Sequence, residues 1–493
     1  MTHIAVDIGA SSGRLVIGDI KNGKLTIEEI HRFANGFTER NGTYYWDIDH
    51  LLTEIVKGLA YAKTLGVKRC TLGIDTWATD YVLVDQEGKR VQEVIAYRDK
   101  RTERTIEKIT KHISKKDIYE KTGIQFLSFN TLYQLYEEKK ENLEKTKMIM
   151  TVPDYLGYKL TGCAVTEVTS ASCTQLLNVK EKDFDQDLLQ LLSIEREQFP
   201  PFSYPGDMLG YVRNEYFPDY DLPETKVIIV GSHDTASAVA GVPAAEKNWA
   251  YLSSGTWSLI GIESDAPIIT EKSLFYNYTN EWGVFGTYRF LKNIMGMWII
   301  QEVRRHLTKD YNFAQMVDEA RKAPPCKQFI NFNDQRFFNP DNMVEEIQKY
   351  CRETLQPVPQ STGEIARCVF TNLAILYSLS IDEIESISGR TIDSLYIVGG
   401  GSQNDFINEM TAAVSGKTVF AGPSEATAVG NILIQLIAEK KLANLQEGRN
   451  LVLNSFSIKR FDPRESGNDV LKEQFKQAVF SWICTEYRLH KKN

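Results

Sequence analysis

Residues 6–14 read VDIGASSGR, and the interpretation of the whole chain begins from this stretch. An apolar run over residues 3–8 contains one acidic residue, Asp7, and a second apolar run covers residues 14–20. The small residues between the two runs predict a β-hairpin with a wide turn. Because such a turn lets backbone N–H groups approach an anion, the stretch predicts a site for the terminal phosphates of a nucleotide.

Side chains in the same hairpin support this interpretation. Ser11, Ser12 and Arg14 supply further hydrogen-bond donors for a phosphate group. Asp7 beside them is suited to hold Mg²⁺ through the waters of the ion. Taken alone, the pattern is more typical of an ordinary glycine-rich hairpin whose aspartate is a solvated strand-end residue, so other parts of the chain must decide between the two.

Length and composition indicate a large globular protein. The chain has 493 residues, which predicts two or three domains, and 42% of them are hydrophobic. Lys and Arg number 57 against 65 Asp and Glu, with no long basic run, which disfavours a nucleic-acid-binding surface. We expect a cytoplasmic protein, because the N-terminus does not resemble a signal peptide and no apolar stretch is expected to span a membrane.

The cysteines predict neither a disulfide framework nor a zinc site. There are seven of them, an odd number with no C-x-x-C pair, so reduced buried thiols are the expected state. Cys351 ends one predicted helix and Cys368 lies near the start of the next. A bridge between these two cysteines is a hypothesis, because antiparallel helices can bring such residues together.

Hydrophobic spacing along the chain predicts an α/β protein. Predicted strands cover residues 24–33, 69–77, 81–84, 227–230, 395–398 and 418–421. Predicted helices cover residues 51–65, 131–139, 154–160, 290–303, 341–353, 363–388, 404–414 and 425–442.

The opening hairpin has a second copy later in the chain. Residues 249–263, WAYLSSGTWSLIGIE, again place a small-residue turn between two apolar runs, which suggests a duplicated domain. A predicted strand then runs into three glycines at residues 399–401, where a flat base or ribose can lie against the backbone. We therefore expect two domains, residues 1–243 and residues 244–493.

Asp234 is the candidate general base. The predicted strand over residues 227–230 delivers Gly-Ser-His-Asp to the start of a helix, where a carboxylate can accept the proton of an attacking hydroxyl. The alternative is that Asp234 is only a helix N-cap. Asp75, Asp80 and Asp99 are rival carboxylates.

Ten motifs resemble, in order, those of the FGGY carbohydrate kinases. They are VDIGASSGR (6–14), IDTWATDYVL (74–83), AYRDKRT (96–102), GIQFLSFNTLYQL (123–135), VPDYLGYKLTG (152–162), GSHDTASAV (231–239), YLSSGTWSL (251–259), LKNIMGMW (291–298), IVGGGSQN (397–404) and GPSEATAVGN (422–431). The resemblance implies two ribonuclease H-like domains of the actin and sugar-kinase type, with an ATP cleft between them. It also implies transfer of the γ-phosphate of Mg-ATP to the 1-hydroxyl of L-rhamnulose.

The resemblance also implies roles for individual residues. Its ATP contacts are Ala10, Ser11, Ser12, Gly13, Arg14, Thr256, Gln301 and Gly400. Its sugar contacts are Ala78, His233, Asp234, Thr235 and Asn293, with Asp234 as proton acceptor and Asp7 as the outer-shell partner of magnesium. Ala78 departs from the pattern, which has glycine after Thr-Trp, and its added methyl bears on how closely a sugar approaches the backbone.

Two alternatives stay open at this point. A kinase for another ketose, such as L-fuculose or xylulose, fits the same motifs. A catalytically silent regulator that responds to a sugar or a nucleotide is a second possibility, because related folds also serve as switches. The expected ligands are ATP and a small ketose, with no nucleic acid, membrane or obligate protein partner.

Overall fold

The structure is a computed structural model that describes residues 1–463 and 470–479. The basic tail over residues 488–492, interpreted from sequence as a solvated helix end, lies outside these ranges. The chain divides into two compact units. Unit 1 contains Met1–Ala245, Glu263–Leu291 and Glu425–Phe456, and unit 2 contains Glu246–Ile262, Lys292–Ser424 and the chain from Ser457. The domain boundary after residue 243 stays a prediction.

Strands and α-helices are interspersed along the described chain. The strands are β1 (Thr2–Ile8), β2 (Ser12–Lys21), β3 (Lys24–Ala34), β4 (Phe37–Arg40), β5 (Thr43–Trp46), β6 (Arg69–Thr76), β7 (Tyr81–Val84), β8 (Val94–Ile95), β9 (Met148–Thr151), β10 (Thr166–Glu167), β11 (Leu177–Asn178), β12 (Asp183–Phe184), β13 (Phe202–Ser203), β14 (Met208–Tyr211), β15 (Glu224–Ile228), β16 (Trp249–Ser254), β17 (Trp257–Ser264), β18 (Thr279–Trp282), β19 (Tyr288–Met295), β20 (Ser394–Val398), β21 (Thr418–Ala421) and β22 (Lys459–Phe461). The helices are α1 (Ile48–Thr64), α2 (Thr105–Ile109), α3 (Lys115–Thr122), α4 (Thr131–Tyr136), α5 (Lys140–Lys145), α6 (Val152–Thr161), α7 (Val168–Ser172), α8 (Gln186–Leu192), α9 (Asp234–Ala240), α10 (Glu271–Phe275), α11 (Trp298–His306), α12 (Phe313–Lys322), α13 (Met343–Glu353), α14 (Thr362–Ser388), α15 (Asp405–Ser415), α16 (Ala426–Ala438) and α17 (Leu445–Ser455).

Unit 1 is built on a six-stranded sheet in the order β14, β15, β6, β1, β2, β3. The predicted hairpin is confirmed, because β1 pairs antiparallel with β2, and β2 with β3. On its other side β1 runs parallel to β6, which in turn runs parallel to β15. The carboxyl ends of these three parallel strands therefore meet at one edge of the sheet, where a ligand site is expected.

Both faces of this sheet are covered by helices, so its strands alternate between two cores. Ile4, Val6 and Ile8 of β1 belong to a core shared with α1 and α6. Ala5, between them, belongs to a second core with α16. Asp7 follows Ala5 by two residues and therefore faces the α16 side, at the end of the strand.

Helices α9 and α16 approach each other unusually closely within unit 1. A Cβ added to Gly430 of α16 would lie 1.8 Å from the Ser237 carbonyl oxygen of α9. A Cβ added to Gly241, just after α9, would lie 2.4 Å from the carbonyl oxygen of Ala426. Only glycine leaves room for this contact, which fixes α9 against the sheet-covering helix.

Unit 2 repeats the strand pattern of unit 1. Its strands β17, β16, β20, β21 and β22 are neighbours in that order. As in unit 1, an antiparallel hairpin, β16 with β17, is followed by two parallel pairings, β16 with β20 and β20 with β21. The second small-residue hairpin predicted over residues 249–263 is thereby confirmed.

The long helix α14 lies at the centre of unit 2. By length and hydropathy alone it qualifies as a membrane span, contrary to the expectation that no stretch does, yet 83% of its most apolar window is buried inside the protein. Ile365, Val369, Leu373 and Leu376 are among its buried residues. The helix is accordingly packed as a core helix.

Two other predictions are wrong. Residues 290–303 were expected to be helical throughout, but β19 extends to Met295 and α11 begins only at Trp298. The bridge between Cys351 and Cys368 is not formed, because both are free, buried thiols. Cys368 Sγ instead accepts from the side-chain amide of Asn372 at 3.5 Å.

Candidate active site

The turn of the first hairpin is held from one side. The side-chain amide of Asn35 donates to the Gly9 carbonyl oxygen at 2.8 Å, and its backbone N–H donates to that of Ser11 at 3.1 Å. Gly9 N–H donates to the Ser12 carbonyl oxygen at 2.9 Å, which closes the turn. Ala10 and Ser11 lie at the tip of the turn, where Ser11 is exposed, so this backbone faces solvent as an anion-binding turn requires.

Gly13 fills a position that no other residue fits. A Cβ at Gly13 would lie 2.2 Å from the ring of Phe33 on the neighbouring strand. Glycine is therefore required here for packing, independently of any phosphate.

Arg14 stands at the centre of a charge cluster in unit 1. It lies directly opposite Asp7 in the hairpin, and its Nε and Nη2 donate to Asp7 Oδ2 at 3.0 and 2.7 Å. It also forms an ion pair with Glu425, the residue that precedes α16. Burial lowers the pKa of Arg14, but the two carboxylates outweigh it and raise that pKa overall. The cation is thus partly neutralised, and it orients Asp7.

Asp75 brings a second carboxylate to the same edge. It is fully buried and pairs with Asp7 in the parallel register of β1 and β6. Asn431 of α16 donates to its Oδ2 at 2.6 Å, whereas its buried Oδ1 has no hydrogen-bond partner in the described chain. Burial, together with the charge of Asp7, raises the pKa of Asp75 well above its usual value. The negative charges of Asp7 and Asp75 repel each other, and a hard cation bound between them would relieve this repulsion.

Asp234 reaches this edge from the adjacent strand. The segment that follows β15 continues beside the end of β6. Thr76 N–H donates to the Ser232 carbonyl oxygen at 2.9 Å, and Thr76 forms a β-bridge with His233. His233 occupies the N-cap position of α9 and Asp234 is the first helical residue. Asp234 is therefore not the N-cap, and the alternative role considered for it from the sequence does not apply.

The Asp234 carboxylate is oriented by its neighbours. Its side chain is 33% exposed, so a substrate hydroxyl can reach it. Thr235 Oγ1 donates to Oδ1 at 3.2 Å, and His233 Nε2 lies 3.4 Å from the same oxygen. Burial raises the pKa of Asp234. The charge of His233 lowers this pKa, the charge of Asp7 raises it further, and the net shift is upward. The result is a stronger base than an ordinary aspartate, with Oδ2 left for an incoming proton.

Two of the rival carboxylates have structural partners. Asp99 accepts from the backbone N–H groups of Tyr44 and Arg101 at 3.1 and 2.9 Å. Asp80 accepts from the indole N–H groups of Trp46 and Trp77 at 2.6 and 2.9 Å, and it is 2% exposed. Of the four carboxylates considered from the sequence, Asp234 is the one that combines exposure with a position at the sheet edge.

Asp80 fixes the turn that contains Ala78. Besides the two indoles, the backbone N–H of Tyr97 and the side-chain amide of Gln134 donate to it, at 3.2 and 3.0 Å. Thr79 has a φ of 75°, which a β-branched residue rarely adopts, and Thr131 Oγ1 donates to its carbonyl oxygen at 2.6 Å. Ala78 is half-buried at the end of β6 and is held by this network.

Replacing Asp80 by alanine is expected to destabilise the protein. Asp80→Ala leaves two buried indole N–H groups without acceptors, which costs on the order of 3 kcal/mol of unfolding free energy. Urea unfolding measures this loss. Asp85→Ala, in an exposed turn of the same unit, is the control with a small expected effect. Equal stability of the two variants would contradict the role given to Asp80.

In unit 2 the second hairpin turn is joined to α11. Met297 N–H donates to the Gly255 carbonyl oxygen and Trp298 N–H to that of Thr256, both at 3.1 Å. A Cβ at Gly296 would lie 2.6 Å from the backbone carbon of Trp257, so glycine permits this contact. Gln301, one turn into α11, is thereby placed near Thr256.

The predicted glycine triplet contacts the same hairpin. A Cβ on Gly401 would lie 2.0 Å from Ser254 Oγ, and Gly399 adopts a φ of 81° beside the Ser254 carbonyl. Gly400 between them is exposed, and a Cβ there would meet nothing within 4 Å. Unit 2 thus brings together Thr256, Gln301 and Gly400, three of the predicted ATP contacts. Asn293, predicted to contact sugar, is half-buried on β19 in this unit.

Sequence comparison identifies the family. The model for the N-terminal domain of the FGGY family of carbohydrate kinases matches residues 2–241, and that for its C-terminal domain matches residues 250–439. The chain belongs to the FGGY family of carbohydrate kinases. The resemblance found in the motifs is thereby confirmed, and this FGGY kinase is an enzyme rather than a silent regulator.

Curated relatives cover almost the whole FGGY kinase. It is 55% identical to the rhamnulokinase of Bacillus subtilis (strain 168) over 97% of this chain and 99% of that protein. It is 50% identical to the rhamnulokinase of Ligilactobacillus salivarius (97% and 98% covered) and 41% identical to that of Bacteroides thetaiotaomicron (96% and 99% covered).

Solved structures confirm the fold class. The xylulose kinase of Lactobacillus acidophilus superposes with a TM-score of 0.80 at 17% identity and covers 100% of both chains. The glycerol kinase of Plasmodium falciparum superposes with a TM-score of 0.78 at 17% identity, covering 97% of this chain and 98% of that one. This FGGY kinase accordingly has the predicted two-domain α/β fold of the ribonuclease H-like, actin and sugar-kinase type.

Proposed function

We propose that this FGGY kinase transfers the γ-phosphate of ATP to the 1-hydroxyl of L-rhamnulose and releases L-rhamnulose 1-phosphate and ADP, a step in L-rhamnose catabolism. Curated rhamnulokinases that are 41–55% identical over nearly their full length support the choice of sugar. The observation that carries the reaction type is Asp234, a part-exposed carboxylate of raised pKa at the edge where β1, β6 and the segment after β15 meet.

In this proposal Asp234 removes the proton of the sugar hydroxyl. Thr235 and His233 both face Oδ1, so Oδ2 receives the proton as the new P–O bond forms. We assign His233, Thr235, Ala78 and Asn293 to sugar binding. A base positioned at the attacking oxygen, together with stabilisation of the phosphoryl group, supplies most of what phosphoryl transfer requires.

The nucleotide contacts are divided between the two units in our assignment. Unit 1 contributes the first hairpin turn, whose backbone N–H groups and hydroxyls bind phosphate oxygens; these residues are Ala10, Ser11, Ser12, Gly13 and Arg14. Unit 2 contributes Thr256, Gln301 and Gly400. The open space beside Gly400 supports its assignment, because a flat group can lie there against the backbone.

The residues at the sheet edge fit a magnesium ion. Asp7 uses only Oδ2 to accept from Arg14, and Asp75 has a buried Oδ1 without a hydrogen-bond partner in the described chain. Carboxylate oxygens are the ligands that Mg²⁺ prefers. We propose that Asp7 holds the ion through water. When bound with ATP, the ion neutralises charge on the phosphate oxygens. A cytoplasmic location, with no nucleic acid, membrane or obligate protein partner, completes the proposal.

Turnover is expected to fall at acidic pH. The pKa of Asp234 is raised from its ordinary value of 3.8 by burial. Because Asp234 must be ionised to accept a proton, kcat is expected to fall by about tenfold per pH unit once the pH drops below this raised pKa. ADP release at saturating ATP and ketose measures kcat, with a return to neutral pH as the control for irreversible inactivation. A kcat that stays constant down to the ordinary aspartate pKa would contradict this base.

The position of the new phosphate ester tests the proposed reaction. The product from L-rhamnulose, ATP and Mg²⁺ is examined by ³¹P–¹H correlation NMR. We expect the phosphorus to couple to the two protons of the terminal methylene at C1. Coupling to a single ring or chain CH proton would place the phosphate elsewhere and overturn the assigned acceptor hydroxyl.

A further inference from the structure

Four buried polar side chains lie behind Asp234 in unit 1. They are Cys173, which follows α7, His233, and two charged residues, Glu281 of β18 and Arg289 of β19. Glu281 and Arg289 face each other directly in the antiparallel register of the two strands, and Arg289 Nη2 lies 2.9 Å from Glu281 Oε2. Their side chains are 6% and 0% exposed, so both charges are removed from water.

This pair meets the ring of His233 at Nδ1. Glu281 Oε2 lies 3.3 Å from Nδ1, Cys173 Sγ lies 3.2 Å from it, and Arg289 Nη2 also lies 3.2 Å from it. On the other side of the ring, Nε2 lies 3.4 Å from Asp234 Oδ1. His233 therefore contacts both the ion pair and Asp234.

The neighbours of Nδ1 decide where its proton lies. Glu281 can only accept, because Arg289 lowers the pKa of its carboxyl to about 2 against the effect of burial. The Cys173 thiol is placed to donate to the Thr169 carbonyl oxygen, at 3.4 Å, which leaves its sulfur as an acceptor towards the ring. Two acceptors thus face Nδ1, and Arg289, a donor, is already engaged with Glu281. Burial lowers the pKa of His233, but its acidic neighbours Cys173 and Glu281 outweigh burial and raise that pKa well above its usual value. The ring is therefore an imidazolium ion, whose Nδ1–H faces Glu281 in an ion pair and whose Nε2–H faces Asp234 Oδ1.

A metal ion is a poorer explanation of the same cluster. Cys173, His233 and Glu281 have ligand atoms within 4.8 Å of one another, which is the spacing of a metal site. However, Arg289 Nη2 lies within 3.2 Å of both Glu281 and His233. The guanidinium supplies positive charge where an ion would lie, so the cluster is complete without one.

We propose that the Glu281–Arg289 ion pair is the positioning element of the active site, holding His233 by its Nδ1–H and turning its Nε2–H towards Asp234 Oδ1. The inference rests on the proposed function, in which Asp234 accepts the substrate proton. With Oδ1 held by His233 and Thr235, the carboxylate cannot rotate freely, and Oδ2 stays directed at the hydroxyl. Glu281 and Arg289 touch neither substrate nor nucleotide in this scheme and act only through His233.

The test uses a double variant, because a single substitution leaves a buried charge without its partner and unfolds the protein for an unrelated reason. Glu281→Gln/Arg289→Gln removes both charges together. The matched control is Glu439→Gln/Lys226→Gln, another ion pair in unit 1, at 2.7 Å with side chains 18% and 23% exposed. Urea unfolding of both double variants establishes that each is folded before kinetics are compared.

We expect the Glu281–Arg289 double variant to lose roughly 10- to 100-fold in kcat with L-rhamnulose, with KM for ATP unchanged, because misplacement of the base affects the chemical step. The control variant is expected to keep the kcat of the unsubstituted enzyme. If the ion pair had only a structural role, the folded double variant would keep the kcat of the unsubstituted enzyme. A folded double variant with unchanged kcat would overturn the proposal.

A measurement on the unsubstituted enzyme needs no substrate and separates this proposal from the proposed function. Selective ¹⁵N-histidine labelling, with His233→Gln to assign the signal, reports the protonation of each ring nitrogen. We expect a protonated Nδ1 at His233 in the absence of ligands, and its loss in the double variant. An unprotonated Nδ1 in the unsubstituted enzyme overturns the positioning role. An enzyme that shows the expected signal but does not phosphorylate L-rhamnulose contradicts the proposed function instead.

Discussion

Asp234→Asn is expected to lower kcat with L-rhamnulose by at least about 100-fold, the usual contribution of a general base. The amide has nearly the shape of the carboxylate, and its oxygen can still accept from Thr235 and face His233. It cannot take up the proton of the attacking hydroxyl. Because Asp234 is 33% exposed, the substitution leaves no deeply buried charge unpaired, and the fold is expected to persist.

The nucleotide affinity of Asp234→Asn separates a catalytic defect from a folding defect. Titration calorimetry with ATP and Mg²⁺ is expected to give a Kd close to that of the unsubstituted enzyme. Asp117→Asn is the matched control: Asp117 is an exposed aspartate of the same unit that lies in the first turn of α3 and accepts from Ser114 Oγ at 2.6 Å. Its kcat is expected to be unchanged. Near-normal turnover by Asp234→Asn would mean that another group is the base.

Gly430→Ala is expected to destabilise the enzyme by about 3 kcal/mol or more, because the new methyl group would overpack a contact between two helix backbones. Its Cβ would lie 1.8 Å from the Ser237 carbonyl oxygen and 2.8 Å from the Gly241 nitrogen. Neither backbone atom can move without shifting α9. Since α9 begins at Asp234, the same shift moves the base, and turnover is expected to fall in whatever fraction remains folded.

Gly36→Ala is the control for this substitution, because a Cβ at Gly36 meets nothing within 4 Å. The two variants are compared by the midpoint of urea unfolding followed by circular dichroism. The account predicts a large shift for Gly430→Ala and little or none for Gly36→Ala. Similar midpoints for Gly430→Ala and the unsubstituted enzyme would show that α9 and α16 are not in this close contact.

The sequence was most informative where local patterns determine structure. The hairpin of β1 and β2 is predicted from a small-residue turn between two apolar runs, and Asn22-Gly23 predicts the next turn, which joins β2 to β3. Asp234 is predictable because it follows a buried strand and precedes a helix. These features depend on neighbours in the chain, so no tertiary information is needed to find them.

The error at β19 has an identifiable cause. Phe290, Leu291, Ile294 and Met295 are all buried, and their spacing fits one face of a helix as well as it fits this strand. Pairing with β18 decides in favour of the strand, and that partner lies in a part of the sequence for which the pattern predicted nothing. Tertiary contacts therefore overrode a local pattern that was ambiguous.

The residues that support the site were missed for a similar reason. Glu281 and Arg289 belong to no motif, and their pairing exists only through the register of β18 and β19. Glu425 reads as the start of a helix, yet it forms an ion pair with Arg14 at the opposite end of the sequence. The signal available for the first pair was Arg289, a charged residue that stands between the aromatic residues Tyr288 and Phe290.

Turnover across a panel of ketoses tests the central claim most directly. ADP release is measured with L-rhamnulose, L-fuculose and xylulose at saturating Mg-ATP, and kcat/KM is compared among them. The account predicts the highest kcat/KM for L-rhamnulose. Ala78, which we assign to sugar binding, lies in the turn that the hydrogen bonds of Asp80 fix. Strong turnover of another ketose, with none of L-rhamnulose, would contradict it.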